Sequence, residues 1–153
     1  MRVLSLSTLY PSAVAPNFGR FVELSLNAAD ATGEVEIIRI SPKGLPPWPL
    51  SKLLSAYRRR SALQQEDAWN GKAVLRPHFT LFPRMAPARN AAAIAKAVLP
   101  LARRLHAQQP FDLVDAQFFW PDGPAAMRIA EALGLPFSIK ARGADIHYWT
   151  TVA

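Results

Sequence analysis

The stretch FDLVDAQFFWPDGPAAMRIAEALGLPFSIKA, residues 111–141, contains the pattern that decides the fold. Its opening run, FDLVDA, has the length and apolar content of a buried strand. Gly123-Pro124 then opens a helix that continues to Leu133, with proline near its favoured first position, and Gly134 ends it. The closing run, PFSIKA, predicts a second strand. A strand, a helix and a strand in this spacing predict a βαβ unit with parallel strands.

The same alternation extends over the rest of the chain, so we predict an α/β fold with a mostly parallel sheet. Asn17 is the expected N-cap of the first helix, Gly33 its stop, and Pro100 is expected to kink or divide a later helix. In chain order, the sequence predicts a strand over 2–7, a helix over 18–32, a strand over 34–40, a proline-rich surface connection over 41–50, a basic helix over 51–67, a strand over 71–77 and a helix over 88–109.

The composition is that of one globular domain, with 153 residues, 50% hydrophobic and 19% charged. The chain has no cysteine, which excludes disulfides and thiolate metal sites and favours an intracellular location. No run approaches the roughly 20 apolar residues that a membrane span needs. The net charge of +7 favours anionic partners such as phosphorylated metabolites, acidic lipid or nucleic acid.

In a parallel sheet ligands bind beyond the carboxyl ends of the strands, so the loops after the first, fourth and fifth predicted strands matter most. The first loop, YPSAVAPNFGRFVE, places Gly19 in the first turn of the following helix. A glycine there lets another molecule approach backbone amides that attract phosphate. The alternative is an ordinary turn, and neither of the usual glycine-rich nucleotide fingerprints occurs in the chain.

The second loop carries Gln117, Phe118, Phe119 and Trp120. The aromatic rings suit packing against a sugar face or an acyl chain, and the Gln117 amide suits hydroxyl recognition. The alternative is that these rings simply close the core. Asp122 and the glycine after it are expected to cap the next helix.

The third loop, ARGADIH, begins with Arg142 and Gly143 where the fifth strand ends. The planar fork of an arginine at this position suits a phosphate or carboxylate. Asp145 is a candidate N-cap for the turn that follows. His147 carries no catalytic assignment, and the sequence shows no histidine cluster with metal-ligand spacing.

Three segments in this order, STLYPSAVAPNFGRFVE, FDLVDAQFFWPDGPAA and PFSIKARGADIH, resemble the amino-terminal domain of glycosyltransferase family 4. The resemblance covers nearly the whole chain, residues 1–153, and implies a Rossmann-like parallel sheet that forms one half of a two-domain GT-B enzyme. Many relatives have histidine where this chain has Gln117, and histidine where it has Arg142. Glutamine can still hydrogen-bond a hydroxyl but cannot share a proton at neutral pH.

The resemblance implies a retaining transfer of a hexose from a nucleotide-sugar donor to a hydroxyl acceptor, in polysaccharide or glycolipid synthesis. It implies no metal and no cofactor, since the nucleotide sugar is a substrate. The loop of Gly19 and Asn17 would approach the donor phosphate or the acceptor. The acceptor side of the cleft would include Gln117, Phe119, Asp122, Arg142, Gly143 and Asp145. The second domain is missing, so the resemblance implies a truncated enzyme that is inactive alone.

The segment LSKLLSAYRRR contains Lys52, Arg58, Arg59 and Arg60 beside apolar residues at helical spacing. Such a helix can lie on an anionic membrane surface, which suits a lipid-linked acceptor and a cytoplasmic protein at the inner face of the plasma membrane. The alternative is a basic face in water.

Two rival functions remain open at this stage. One is a non-catalytic ligand-binding or interaction module of the same fold. The other, nucleic-acid binding, has only the charge in its favour, because the sequence contains neither a recognition-helix motif nor aromatic residues interleaved on a basic strand. We therefore expect no nucleic-acid partner.

Overall fold

The computed structural model describes residues 1–47, 66–81 and 87–143. These parts of the chain form eight strands and three helices. They are β1 (Arg2–Leu6), α1 (Arg20–Asp30), β2 (Glu36–Ile40), β3 (Lys43–Leu45), β4 (Glu66–Trp69), β5 (Lys72–Leu75), β6 (His78–Thr80), α2 (Pro87–Gln108), β7 (Leu113–Ala116), α3 (Asp122–Leu133) and β8 (Phe137–Ile139).

Six strands form the main sheet in the order β4-β5-β2-β1-β7-β8, and every neighbouring pair except β4 and β5 is parallel. The prediction of an α/β fold with a mostly parallel sheet is therefore confirmed. From β1 the chain first builds outward through β2 to β5, and later returns to the other side of β1 to add β7 and β8. The strand order thus reverses between β1 and β7, which makes their carboxyl ends a topological switch point.

Helices cover both faces of the sheet. Successive side chains of a strand point to opposite faces. Ile37 of β2 packs in a cluster with Val22 and Leu26 of α1. Ile40 of the same strand belongs instead to the larger core, with buried residues of α2 and α3 such as Ile94. The sheet therefore has α1 on one face and the other two helices on the opposite face.

Helix α1 is tied to the sheet by charged groups at its C-terminal end. The Asp30 carboxylate accepts hydrogen bonds from Lys72 Nζ at 2.5 Å and from Arg39 Nη2 at 3.1 Å. Arg39 is buried, and Lys72 is half-exposed. The hydrogen bond from Lys72, and then the interaction with Arg39, holds the pKa of the Asp30 carboxyl below its ordinary value of 3.8.

The prediction of Asn17 as the N-cap of α1 is wrong. The helix begins at Arg20, its N-cap is Gly19, and no side chain makes a capping bond. Asn17 lies exposed two residues earlier. Gly134, by contrast, ends α3 in the left-handed conformation as predicted, with φ 67°.

Several other element predictions are wrong. Residues 43–45 of the expected surface connection form β3, which pairs in parallel with β6, and Lys43 is buried. The end of the expected basic helix is strand instead, because β4 and β5 form a hairpin around Asn70 and Gly71, both with positive φ. Of the two alternatives for Pro100, division of the helix is wrong, since α2 continues to Gln108; a kink at Pro100 stays a prediction.

Within the described ranges, no helix is long and apolar enough to cross a membrane.

Candidate functional site

The loops after β1 and β7 meet at the switch point and are joined by a buried carboxylate. The backbone N–H of Thr8 donates to both oxygens of Asp122, at 3.0 and 3.3 Å. Asp122 is fully buried and is the first residue of α3, where Pro121 is the N-cap. Asp122 therefore connects the two loops. The predicted position of the cap is wrong, because Pro121 is the N-cap and Asp122 and Gly123 are the first two helical residues.

Gly19 allows the first loop to fold against itself. Its φ is +76°, a conformation that side chains with a Cβ rarely adopt. A Cβ at this position would lie 2.5 Å from the backbone carbon and oxygen of Leu9. The space that the missing side chain leaves is thus occupied by the chain's own backbone. Packing against Leu9 therefore already explains why residue 19 is a glycine. The approach of a ligand to Gly19 remains a prediction.

The start of α1 leaves two amides without a backbone partner in the part of the chain that the structure describes. The N–H groups of Val22 and Glu23 both donate to the Gly19 carbonyl, at 2.9 and 3.3 Å. The preceding amides, of Arg20 and Phe21, have no backbone partner among the described residues. Unpaired amides at a helix start attract anions through their hydrogens and through the helix dipole.

The aromatic residues of the second loop have different environments. Phe118 is buried, and its ring meets that of Phe21 edge to face, with centroids 5.9 Å apart and planes at 81°. Trp120 is partly buried against the main core. Phe119 has half of its surface exposed. Packing in the protein interior therefore explains the aromatic residues at 118 and 120. The ring of Phe119 is half-exposed, as contact with a sugar face would require.

Gln117 is fully buried, and its amide is used inside the protein. Its Nε2 donates to Ser5 Oγ at 3.1 Å and to Asp115 Oδ2 at 2.5 Å, and its Oε1 accepts from Arg142 Nη2 at 3.2 Å. Both amide hydrogens are therefore engaged. In this conformation Gln117 supports Arg142, and its contact with a substrate hydroxyl stays a prediction.

Arg142 joins the third loop to the other two. Its Nε donates to the Gln117 carbonyl oxygen at 3.0 Å. The guanidinium carbon lies 4.8 Å from the centre of the Phe21 ring and 5.6 Å from that of Phe118. Of the described residues, none bonds Nη1. The cation of Arg142 therefore lies against the ring of Phe21, a residue of the first turn of α1.

The structure thus brings Gly19, Gln117 and Arg142 to one edge of the sheet. Gly143 follows Arg142 and is exposed. Asp145, and the basic segment with Lys52, Arg58, Arg59 and Arg60, lie outside the described residues, as does His147.

A cavity of about 200 Å³ opens beside the first loop. Its walls come from that loop, through residues such as Thr8 and Phe18, and from β3 and β6, through Lys43 and Phe79. The sequence analysis missed this cavity because it predicted neither of these two short strands. The cavity combines apolar walls with polar groups.

A buried arginine, also missed, fixes the outer part of the first loop. Arg76 has no exposed surface, and its Nη2 donates to the Pro11 carbonyl at 2.7 Å. Its Nε donates to Asp67 Oδ2 at 3.1 Å. Burial lowers the pKa of the Arg76 guanidinium, an effect that the charge of Asp67 opposes. Arg76 therefore connects the hairpin of β4 and β5 to one wall of the site.

Among the described residues, no group of three or more histidine, aspartate or glutamate side chains is placed to hold a metal ion.

These features define the class of the domain: a Rossmann-like α/β domain with its loops gathered at the switch point. No family model matches the chain. Over 150 residues, 97% of its length, the chain is 27% identical to TuaC of Bacillus subtilis (strain 168), a protein provisionally named a teichuronic acid biosynthesis glycosyltransferase. The chain spans 38% of the length of that relative. It is therefore similar to part of a glycosyltransferase, and its fold is consistent with one half of such an enzyme.

Proposed function

We propose that the chain is the amino-terminal, acceptor-side domain of a retaining family 4 glycosyltransferase with the GT-B architecture. The complete enzyme would transfer a hexose from a nucleotide sugar to a hydroxyl acceptor in polysaccharide or glycolipid synthesis. The observation that carries the proposal is the position of the Arg142 cation at the switch point, against the ring of Phe21 from the first turn of α1. The similarity to TuaC over nearly the whole chain supports the glycosyltransferase class.

The chemistry of sugar transfer explains why a cation is needed at this edge. When the bond between the anomeric carbon and the donor diphosphate breaks, negative charge builds up on the diphosphate. Donors that are already oriented toward that charge lower the barrier without reorganising. Arg142 offers Nη1, and the amides of Arg20 and Phe21 point out of a helix start. We assign no general base to any residue of the chain.

The acceptor would occupy the same edge. The cavity between the first loop and β3 combines the Phe79 ring with the hydroxyl groups of Thr8 and Ser12. The half-exposed ring of Phe119 offers a further surface for a sugar. Such a mixture of apolar walls and a few polar groups is typical of small-molecule sites. A lipid-linked acceptor would agree with membrane contact by Lys52 and the three arginines at 58–60, at the cytoplasmic face of the membrane.

Binding of inorganic pyrophosphate, the charged centre of the donor, tests the proposal in the 153-residue chain. Calorimetric titration is expected to show binding that Arg142→Gln weakens by about 10- to 100-fold, the usual effect of losing a hydrogen bond to a charged group. Arg103→Gln is the matched control, because Arg103 is an exposed arginine of α2. Equal losses in both variants would indicate only a general charge effect and would contradict the proposal.

The rival interpretation, a non-catalytic module of the same fold, makes a different prediction about the gene. The coding frame beyond Ala153 should continue into a second α/β pattern with two spaced glutamates if the enzyme interpretation is correct. A stop codon directly after Ala153 would favour the module.

A further inference from the structure

We propose that Asp115 is a positioning residue that acts through Gln117 to hold the guanidinium of Arg142 at the switch point. The inference rests on the proposed function only for the identity of the ligand that Arg142 meets. The positioning itself is a property of four side chains on one edge of the sheet, those of Ser5, Asp115, Gln117 and Arg142. It assigns a role to a buried carboxylate that the sequence analysis did not single out.

The orientation of the Gln117 amide is the central step. An amide can rotate by half a turn and exchange its oxygen with its nitrogen, at little cost in shape. Only one orientation places Oε1 toward Nη2 of Arg142, at 3.2 Å. The other would direct an N–H group at a cation. Arg142 thus disfavours the reversed amide from the oxygen side, and a fixed acceptor on the nitrogen side would hold the same orientation before Arg142 is in place.

Asp115 is such an acceptor because an ionised carboxylate can only accept hydrogen bonds. Its Oδ2 accepts from Gln117 Nε2 at 2.5 Å, so the nitrogen must face the carboxylate and the oxygen must face Arg142. Ser5 Oγ accepts from the same nitrogen at 3.1 Å. A hydroxyl can also donate, so Ser5 alone would not exclude the reversed amide. The charge on residue 115 is what fixes the direction.

Other partners hold the Asp115 carboxylate in place. Its Oδ1 accepts from Ser138 Oγ at 2.7 Å, and its Oδ2 also accepts from Lys140 Nζ at 2.6 Å. Asp115 is buried, whereas Lys140 is 44% exposed and supplies the opposite charge from the water side. Both partners belong to β8 or the residue after it, and Arg142 follows two residues later. The network thus links the ends of β1, β7 and β8 directly to the proposed anion-binding group.

The resonance of the Arg142 Nε–H group tests the inference without any ligand. In isotope-labelled protein this hydrogen, bonded to the Gln117 carbonyl, is expected to resonate apart from those of exposed arginines and to exchange with water at least about tenfold more slowly. Asp115→Asn is expected to remove both properties. An asparagine can donate and so permits the reversed amide, the guanidinium then loses its Nη2 bond to Oε1, and the bond from Nε to the backbone carbonyl of Gln117 is no longer held in place. Asp30→Asn is the matched control, since Asp30 is also a mostly buried carboxylate bonded to a half-exposed lysine.

A second variant keeps the test decisive if Asp115→Asn does not fold. Gln117→Leu retains the shape of the side chain and leaves Asp115 paired with Lys140 and Ser138. It is expected to change the Arg142 resonance in the same way. A variant that combines Asp115→Asn with Gln117→Leu should change this resonance no more than either substitution alone. An unchanged Arg142 resonance in Gln117→Leu, or an equal change in Asp30→Asn, would overturn the inference.

Pyrophosphate separates this inference from the proposed function. If both are correct, Asp115→Asn weakens pyrophosphate binding about tenfold, by loosening Arg142 without removing it. A shifted Arg142 resonance in a protein whose unaltered form binds no pyrophosphate would support the positioning role and reject the anion site. Full pyrophosphate affinity in Asp115→Asn, with a displaced Arg142 resonance, would overturn the claim that positioning serves binding.

Discussion

Replacing Gly19 by alanine tests how the first loop is built. Two separate costs apply at this position. The backbone has a φ of +76°, and the added methyl group would lie 2.5 Å from the backbone of Leu9. Gly33 offers a matched control, because its φ is +74° and nothing lies within 4 Å of the position of a Cβ. The control shares the conformational cost and lacks the clash.

The expected magnitudes follow from these two costs. A residue with a Cβ in the left-handed conformation costs about 1–2 kcal/mol. Forcing an extra methyl group into a filled space costs about 1–3 kcal/mol more. Gly33→Ala should therefore lower the free energy of unfolding by about 1–2 kcal/mol, and Gly19→Ala by about 2–5 kcal/mol. At about 3 °C per kcal/mol for a chain of this size, the melting temperature falls by about 3–6 °C and about 6–15 °C.

Thermal unfolding followed by far-ultraviolet circular dichroism measures both variants under the same conditions. The difference between them is the quantity of interest, because it isolates the contact with Leu9. Equal losses in the two variants would show that Leu9 does not occupy the space beside Gly19 and would refute the account of this loop.

Four further predictions follow from the site and its surroundings. The pKa of Asp30 in the folded protein is below its ordinary value, so its bonds stabilise the fold above pH 3.8. This stabilisation is lost as the pH falls through the lower folded pKa. Urea titrations should show the acid-dependent loss of stability in the unaltered protein and less of it in Asp30→Asn. Asp122→Ala leaves the Thr8 amide without its partner and should lower the free energy of unfolding in urea by about 1–3 kcal/mol. Asp122→Asn keeps an acceptor and should lower it less. The reverse order of the two variants would contradict the assignment of this bond. Changing Arg58, Arg59 and Arg60 to glutamine should weaken sedimentation with acidic vesicles by about 100-fold at about 1 kcal/mol per basic residue, and unchanged sedimentation would reject membrane contact. The 153 residues alone should transfer no hexose from a nucleotide sugar, and measurable turnover would overturn the need for a second domain.

Much of the parallel sheet could be predicted from the sequence because its strands are buried on both faces and appear as short apolar runs between turn signals. β1, β7 and most of β2 follow this rule. β8 is an edge strand with exposed residues, and the turn signals on either side of its apolar residues predicted it. β3 and β6 do not, since each has three residues and exists through a pairing between distant segments. The β4–β5 hairpin carried a readable signal in its Asn70-Gly71 turn, where both residues have positive φ. That signal was missed because the preceding residues suggested a helix.

The candidate site was predictable as a meeting of loops but not as a set of side-chain roles. The end of each parallel strand fixes the edge at which its loop emerges, so the meeting of Gly19, Gln117 and Arg142 followed from topology. The role of Gln117 depends on Ser5, which lies 112 positions away in the chain. The connection of Asp122 to Thr8 spans 114 positions. Partners this distant become visible only when the chain has folded.

A map of backbone amide shifts during titration with pyrophosphate tests the central claim most directly. The account predicts that the largest changes occur at the start of α1, in Arg20 and Phe21, and in the loops at Phe118 and Arg142. Changes confined to the exposed cations of α2, such as Arg89 and Arg103, would show that the three loops do not form one anion-binding edge.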